Sequence, residues 1–257
     1  MLYNERLVKE MEVIMSLFLR LAYLFFIGSV FGWVLELLFR KFFSSSNPEH
    51  KWINPGFCVG PYLPLYGSGL CALYCIATLA GRFGFGGSVW SHVLVIAIIT
   101  VSMTALEYLS GVLMLKVVKV RLWDYTDCWG NIQGLICPLF TFFWGVLGAA
   151  YLYLIHPYIL DALQWLSENL AFSFVIGYFF GVFTIDVAYS IRLVTRIRKF
   201  AAENDVVFRY EALKAHIRAK QERAQEKIHF LLPFVSEHPL YDHLHTAAET
   251  IRARHAK

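Results

Sequence analysis

Long apolar stretches, each nearly free of formal charge, alternate along the chain with short polar punctuation. Between Arg20 and Arg40 the only charge is Glu36, and Trp52 to Gly81 carries none. Phe83 to Leu115 carries only Glu107, Cys128 to Leu160 is uncharged, and Asn169 to Ile191 carries only Asp186. A helix needs roughly 20 apolar residues to cross a hydrocarbon core of about 30 Å. Buried helices of soluble proteins rarely stay apolar on every face for so long. The pattern predicts an all-α polytopic bundle of about five spans. The first span ends in Glu36-Leu-Leu-Phe-Arg40 with no small-residue cleavage site, so it is expected to be retained.

The first four runs form two similar units. Glu36 is followed by Trp52 as Glu107 is followed by Trp123, both pairs displaced by 71 residues. Gly60-Pro-Tyr-Leu-Pro64-Leu-Tyr66 is answered by Gly134-Leu-Ile-Cys-Pro138-Leu-Phe140, displaced by 74. Repeat one covers about 20–81 and repeat two about 90–157. Each contains two spans, so they are expected to enter the membrane in the same sense, as parallel repeats do in some transporters. A fifth span, about 170–191, carries Asp186 and resembles the start of a third unit. The membrane domain is expected over 1–197, with a cytoplasmic helical tail over 198–257.

Proline makes the second half of each unit unusual. Pro55, Pro61 and Pro64, with four glycines over 52–69, disfavour helix before about Leu65. Only about 24 Å of helix then remains to Ala80. The segments 52–64 and 124–137 are expected to re-enter the membrane from the cytoplasmic side, where irregular backbone must be buried in protein or line a wet cavity. The alternative is a surface loop anchored by Trp52 and Trp123.

Composition strengthens the membrane reading: 58% of residues are apolar, 16% are charged and mean hydropathy is +0.52. Soluble domains sit near 45–50% and about 25%, which rules out disorder and argues against an ordinary water-soluble enzyme. Ten Lys/Arg and eleven Asp/Glu precede Arg192, whereas thirteen and eight follow from it onward. Basic residues mark the loop after span one (Arg40, Lys41, Lys51), the loop after span three (Lys116, Lys119, Arg121) and the start of the tail. Arg82 stands alone in one opposite loop, and Asp161 and Glu168 are placed in the other. By the positive-inside rule the N-terminus lies outside and the C-terminus in the cytoplasm of a multi-pass cell-membrane protein.

Ionisable residues within spans mark function by default. Counting back from the flanking bases, Glu36, Glu107 and Asp186 lie about 6, 13 and 9 Å inside the cytoplasmic boundary at 1.5 Å per residue. Such carboxylates bind a cation, relay protons or hold a cationic group of a substrate. Glu36 has Arg40 at ion-pair spacing, Asp186 has Tyr189 and Ser190 nearby, and Glu107 has only Tyr108 and the distant Lys116. Glu107 is therefore the leading candidate. Trp52, Asn54, Trp123, Asp124, Tyr125 and Asn131 bring polar and aromatic groups to the same layer, either as part of a site or to close the loops. His92 and His156 are expected at interfaces. The five cysteines form no CxxC pair, and His238, Asp242, His243 and His245 read as a hydrophilic end, so no metal site is expected. No Walker A, Gly-x-Ser-x-Gly or HExxH motif is present.

Over roughly residues 20–195 the chain resembles the bacterial family of putative ABC transporter type IV, or CmpB-like permeases. The likeness rests on Glu36, the segment 55–69 (PGFCVGPYLPLYGSG), Leu106-Glu107-Tyr108, Trp123-Asp124-Tyr125-Thr126 and Asn131-Ile-Gln-Gly134-Leu-Ile-Cys137. Family members often carry Arg around the positions of Pro55 and Leu135, and this chain does not. The resemblance implies a permease with a separate ATPase subunit and no cofactor of its own. Taken together, the readings point to a transport component with a cytoplasm-facing polar cavity lined by carboxylates. Its expected partners are the lipid bilayer, an ATPase subunit or further copies of itself, and not nucleic acid. Two rivals stand beside it: an intramembrane enzyme acting on lipid or cell-envelope precursors, with Glu107 or Asp124 as acid or base, and a scaffold that recruits a partner through the tail.

Overall fold

The computed structural model describes residues 2–43, 47, 50, 52–84, 88–118, 120–204 and 208–209. The tail beyond 209, with its partial helical periodicity and His238, Asp242, His243 and His245, lies outside the described residues. Helix α1 (Leu2–Phe42) is followed by an irregular segment and α2 (Pro64–Arg82). Then come α3 (Val89–Leu113), a π-turn (Met114–Val118) and a second irregular segment. The chain continues through α4 (Pro138–Ala150), a π-turn (Tyr151–Ile155) and α5 (His156–Glu168). A 3₁₀ turn (Leu170–Phe172) leads into α6 (Ser173–Asn204). Strand structure among the described residues is a two-residue parallel pair, β1 (Val120–Arg121) beside β2 (Phe208–Arg209).

Each helix boundary has a local cause. Pro64 and Pro138 occupy the first helical positions of α2 and α4, where a missing N–H costs nothing and φ is preset. Ser88 caps α3: its side chain accepts from Trp90 N (3.3 Å), while Ser91 Oγ returns to Ser88 N (3.2 Å). Helix thus begins one residue before the Leu65 expected from the prolines. One difference concerns span four. Helix does not give way to a loop at Asp161 but runs on to Glu168, with Asp161 inside α5. A π-turn, closed by His156 N donating to the Tyr151 carbonyl, leads into α5, so the helix continues through Pro157 near its first turn.

Among the described residues, five helices are long and apolar enough to cross a membrane: Ser16–Phe42, Pro64–Arg82, Val89–Lys116, Pro138–Glu168 and Leu170–Arg192. In none is more than 33% of the apolar window buried, and Phe18, Phe31, Val101, Phe142 and Ile185 look outward. Apolar surface facing out on every helix is unstable in water and ordinary in lipid. The multi-pass membrane assignment therefore stands on exposure as well as composition.

Small residues bring α1 and α2 together. A Cβ on Gly28 would lie 3.1 Å from the Gly67 backbone, and one on Gly32 would overlap the Tyr66 ring. Gly28-x-x-x-Gly32 places both on one face of α1, the arrangement that lets membrane helices approach closely. The buried core runs through Tyr23, Leu24, Tyr74, Tyr151, Leu163 and Leu166, joining α1, α2 and the α4–α5 helix at one end. Val95, Ile99 and Met103 of α3 pack against Leu73, Ile76 and Trp144. At the other end Cys58, Tyr62 and Phe179 lock the first irregular segment between α1 and α6.

Candidate functional site

Glu36 and Arg40 lie one turn apart near the end of α1, with Arg40 Nε 2.7 Å from Glu36 Oε1. The other oxygen, Oε2, accepts from the Tyr66 hydroxyl at 2.9 Å, across the gap that Gly32 leaves open. Glu107 is 4% exposed on α3, the one charged residue buried among the described residues. Its Oε1 accepts from the Tyr125 hydroxyl and its Oε2 from Trp144 Nε1, both at 2.9 Å. The Tyr125 ring stacks on Phe140 at 4.2 Å and 13°. Tyr66 is also within electrostatic reach of Glu107, and Tyr125 of Glu36 and Tyr66. Two glutamates and two phenols thus form one polar layer, with Arg40 on one flank and Trp144 on the other.

The two glutamates differ in charge balance. Glu36 has an arginine, whereas among the described residues Glu107 has neutral donors alone. A carboxylate out of water without a counter-charge is costly, so Glu107 is the position in this layer that gains most from a proton, a cation or an ammonium group. Burial, and then the Glu107 carboxylate, push the Tyr125 phenol above the ordinary tyrosine range. Tyr125 therefore remains a donor.

Asp186 has a different set of partners. Its Oδ1 accepts from Val59 N (3.1 Å) and Ser190 Oγ (2.9 Å), and its Oδ2 from Gly60 N (2.7 Å) and the Tyr62 hydroxyl. Of the two neighbours expected from spacing, Ser190 bonds it and Tyr189 does not. Asn54, 3% exposed, accepts from Trp33 Nε1 at 2.6 Å and donates to the Val59 and Cys58 carbonyls. Together, Asp186 and Asn54 close the first irregular segment against α6 and α1.

The second segment is closed in the same manner. Asp124 accepts from Arg121 Nη1 (2.9 Å), Thr126 N (3.1 Å) and the Thr126 hydroxyl. Asn131 donates to the Thr126 and Cys128 carbonyls and accepts from Gly134 N. Gly134 has φ +66°, and a Cβ there would strike the Arg121, Asp124 and Thr126 side chains. Trp123 Nε1 donates to the Leu135 carbonyl at 2.9 Å, whereas the Trp52 ring lies under Lys41 Nζ at 3.6 Å and is 42% exposed.

Of the nine nominated residues, Glu36, Glu107 and Tyr125 come together. Asp186, Asn54, Trp123, Asp124 and Asn131 hold loops, and Trp52 sits at a bundle end. Tyr66, Trp144 and Arg40 complete the glutamate layer, although none was singled out as a site residue. The Tyr66/Phe140 register offered a signal. Phe140 has no hydroxyl at the position that matches Tyr66, so Glu107 needs donors from elsewhere.

Neither a curated protein nor a solved structure matches the chain. A family profile does, over residues 23–191, an interval that contains Glu36, both irregular segments, Glu107 and Asp186. The chain belongs to the family described as Putative ABC-transporter type IV.

Proposed function

We propose that the chain is a permease-like transport component in which Glu107, within the layer of Glu36, Tyr66, Tyr125 and Trp144, receives a cation or the cationic group of a substrate. The observation that carries this is the burial of Glu107 against two neutral donors, with the Glu36–Arg40 pair alongside. A buried carboxylate held this way is worth its cost where it exchanges charge. In this reading the layer is the floor of a polar cavity open to the cytoplasm, and the N-terminus lies outside.

Two further elements belong to the proposal. The irregular segments re-enter the membrane. Supporting this, Leu63 N bonds the Ser29 carbonyl at 2.9 Å, eleven residues before Arg40. That is about 16 Å along the helix. Tyr125 likewise reaches Glu107, nine residues before Lys116. The two hairpins are parallel repeats whose glutamates correspond while their donors have diverged. The sequence has no phosphate-binding loop, so any ATP use runs through a separate ATPase subunit, with homo-oligomers as the other candidate assembly.

The test is electrophysiology on proteoliposomes challenged in turn with protons, Na⁺, K⁺, ammonium and methylammonium. At least one cation is expected to give a current that E107Q abolishes and D161N, at an exposed acid of α5, preserves. Equal currents in E107Q and wild type, or no current with any of the five, would overturn the proposal.

A further inference from the structure

At the end of the bundle away from the glutamates, α1, α2 and α5 surround a partly open cavity of about 250 Å³, lined by Arg20, Tyr74, Leu160, Leu163, Gln164 and Ser167. Its chemistry is split. Leu160 and Leu163 supply an apolar wall, and the other four bring polar groups. Tyr74 is 5% exposed, and among the described residues its hydroxyl has no hydrogen-bond partner. Its ring is held beside His156 at 6.4 Å, and His156 Nδ1 is itself 3.0 Å from the Tyr151 hydroxyl. Arg20 forms no ion pair among the described residues.

Accounting for donors identifies what is still available. Ser167 Oγ gives its proton to the Gln164 carbonyl at 2.7 Å, leaving only acceptor capacity. Gln164 Nε2 gives one N–H to Glu168 Oε1 at 3.1 Å and keeps the second. Arg20, the Tyr74 hydroxyl and one Gln164 N–H remain, a donor set with one positive charge, beside the Glu168 carboxylate that Gln164 already holds. Such a set suits an oxyanion such as a phosphate, which guanidinium binds in bidentate fashion.

We propose that this cavity seats the phosphate of a membrane phospholipid headgroup, with the acyl chains lying on the outward apolar surface beside it. Arg20 is the last charge before the apolar run of the first span. That places it at the boundary between headgroups and chains. Leu160 of the lining is itself exposed, as are Leu17, Tyr158 and Trp165 on α1 and α5, apolar surface that acyl chains use and a free anion does not. The volume falls below the range of about 300–1,000 Å³ typical of sites for whole small molecules, so it suits a headgroup whose remainder stays in the bilayer. The site is independent of the glutamate layer.

The experiment is native mass spectrometry of the purified full chain in detergent, titrated with phosphatidylglycerol and, separately, with inorganic phosphate. R20Q is expected to weaken lipid retention about tenfold, the effect of losing one charge-assisted hydrogen-bonding partner. L160W keeps the arginine, narrows the mouth at an already exposed residue and is expected to weaken retention similarly. Y74F gives a smaller loss, and R192Q at the opposite end gives none. Unchanged retention in R20Q, or full retention in L160W, would show surface charge rather than a built site and overturn the proposal. Competition by inorganic phosphate at equal potency would overturn the lipid assignment.

Discussion

Gly32→Ala tests how the glutamate layer is assembled. The added Cβ would overlap Tyr66 at its Cβ and the nearest ring atoms, and Tyr66 cannot retreat without leaving Glu36, whose Oε2 lies 2.9 Å from its hydroxyl. Overpacking in a close-packed interior costs about 1–3 kcal/mol, and a hydrogen bond to a charged group contributes about 1.5–3 kcal/mol. Alanine recovers up to about 1 kcal/mol through its helix propensity. The net is a destabilisation of about 2–4 kcal/mol. At about 2–4 °C per kcal/mol for a chain of this size, Tm in lipid nanodiscs should fall by roughly 4–16 °C. Gly81→Ala is the control, because a Cβ there meets nothing within 4 Å. The decisive measurement is the double-mutant cycle with Tyr66→Gly. Removing the whole side chain, Cβ included, removes these overlaps and the bond, so most of the G32A cost should vanish in that background, as for sites that are no longer coupled. A G32A cost that matches G81A, or that persists undiminished beside Y66G, would refute the packing argument.

Two other outcomes follow from the loop contacts. Asp186→Asn replaces an acceptor-only side chain that serves four donors, so about 2–4 kcal/mol of local stability is lost, and hydrogen exchange should accelerate at the Val59 and Gly60 amides. Unchanged exchange there would refute the locking role. Burial, and then the Asp186 carboxylate, push the Cys58 thiol up to about 12. Because the raised value keeps it protonated at pH 8, Cys58 should resist maleimide until the protein unfolds, and mass spectrometry of the labelled chain would reveal any early reaction.

The two carboxyl groups closest to α1 and α6 illustrate how much could be read locally. Glu36 and Arg40 pair because four residues make one helical turn, a rule that holds for any helix. Ser190 reaches Asp186 for the same reason. Glu107 offers no such local partner. Its donors come from 18 and 37 residues away, Tyr125 on an irregular segment and Trp144 on another helix. Asp186 meets Val59 and Gly60 across 127 and 126 residues. Gly28 and Gly32 did carry a legible spacing, but which side chain would fill the gap depends on how α2 is rotated against α1.

By itself the chain of residues determined the spans, because charge and proline set where helix and hydrocarbon are compatible, and those penalties act locally. It also determined which acids are costly, since depth along a helix is a matter of counting. Only the tertiary structure decided which acids meet. Hydrogen bonds between distant segments depend on helix rotation and loop path, which are set by close packing at Gly32, Gly67 and Gly111 rather than by any single residue's preference. That packing gives Asp186 the donors of a loop and leaves Glu107 buried beside two neutral donors.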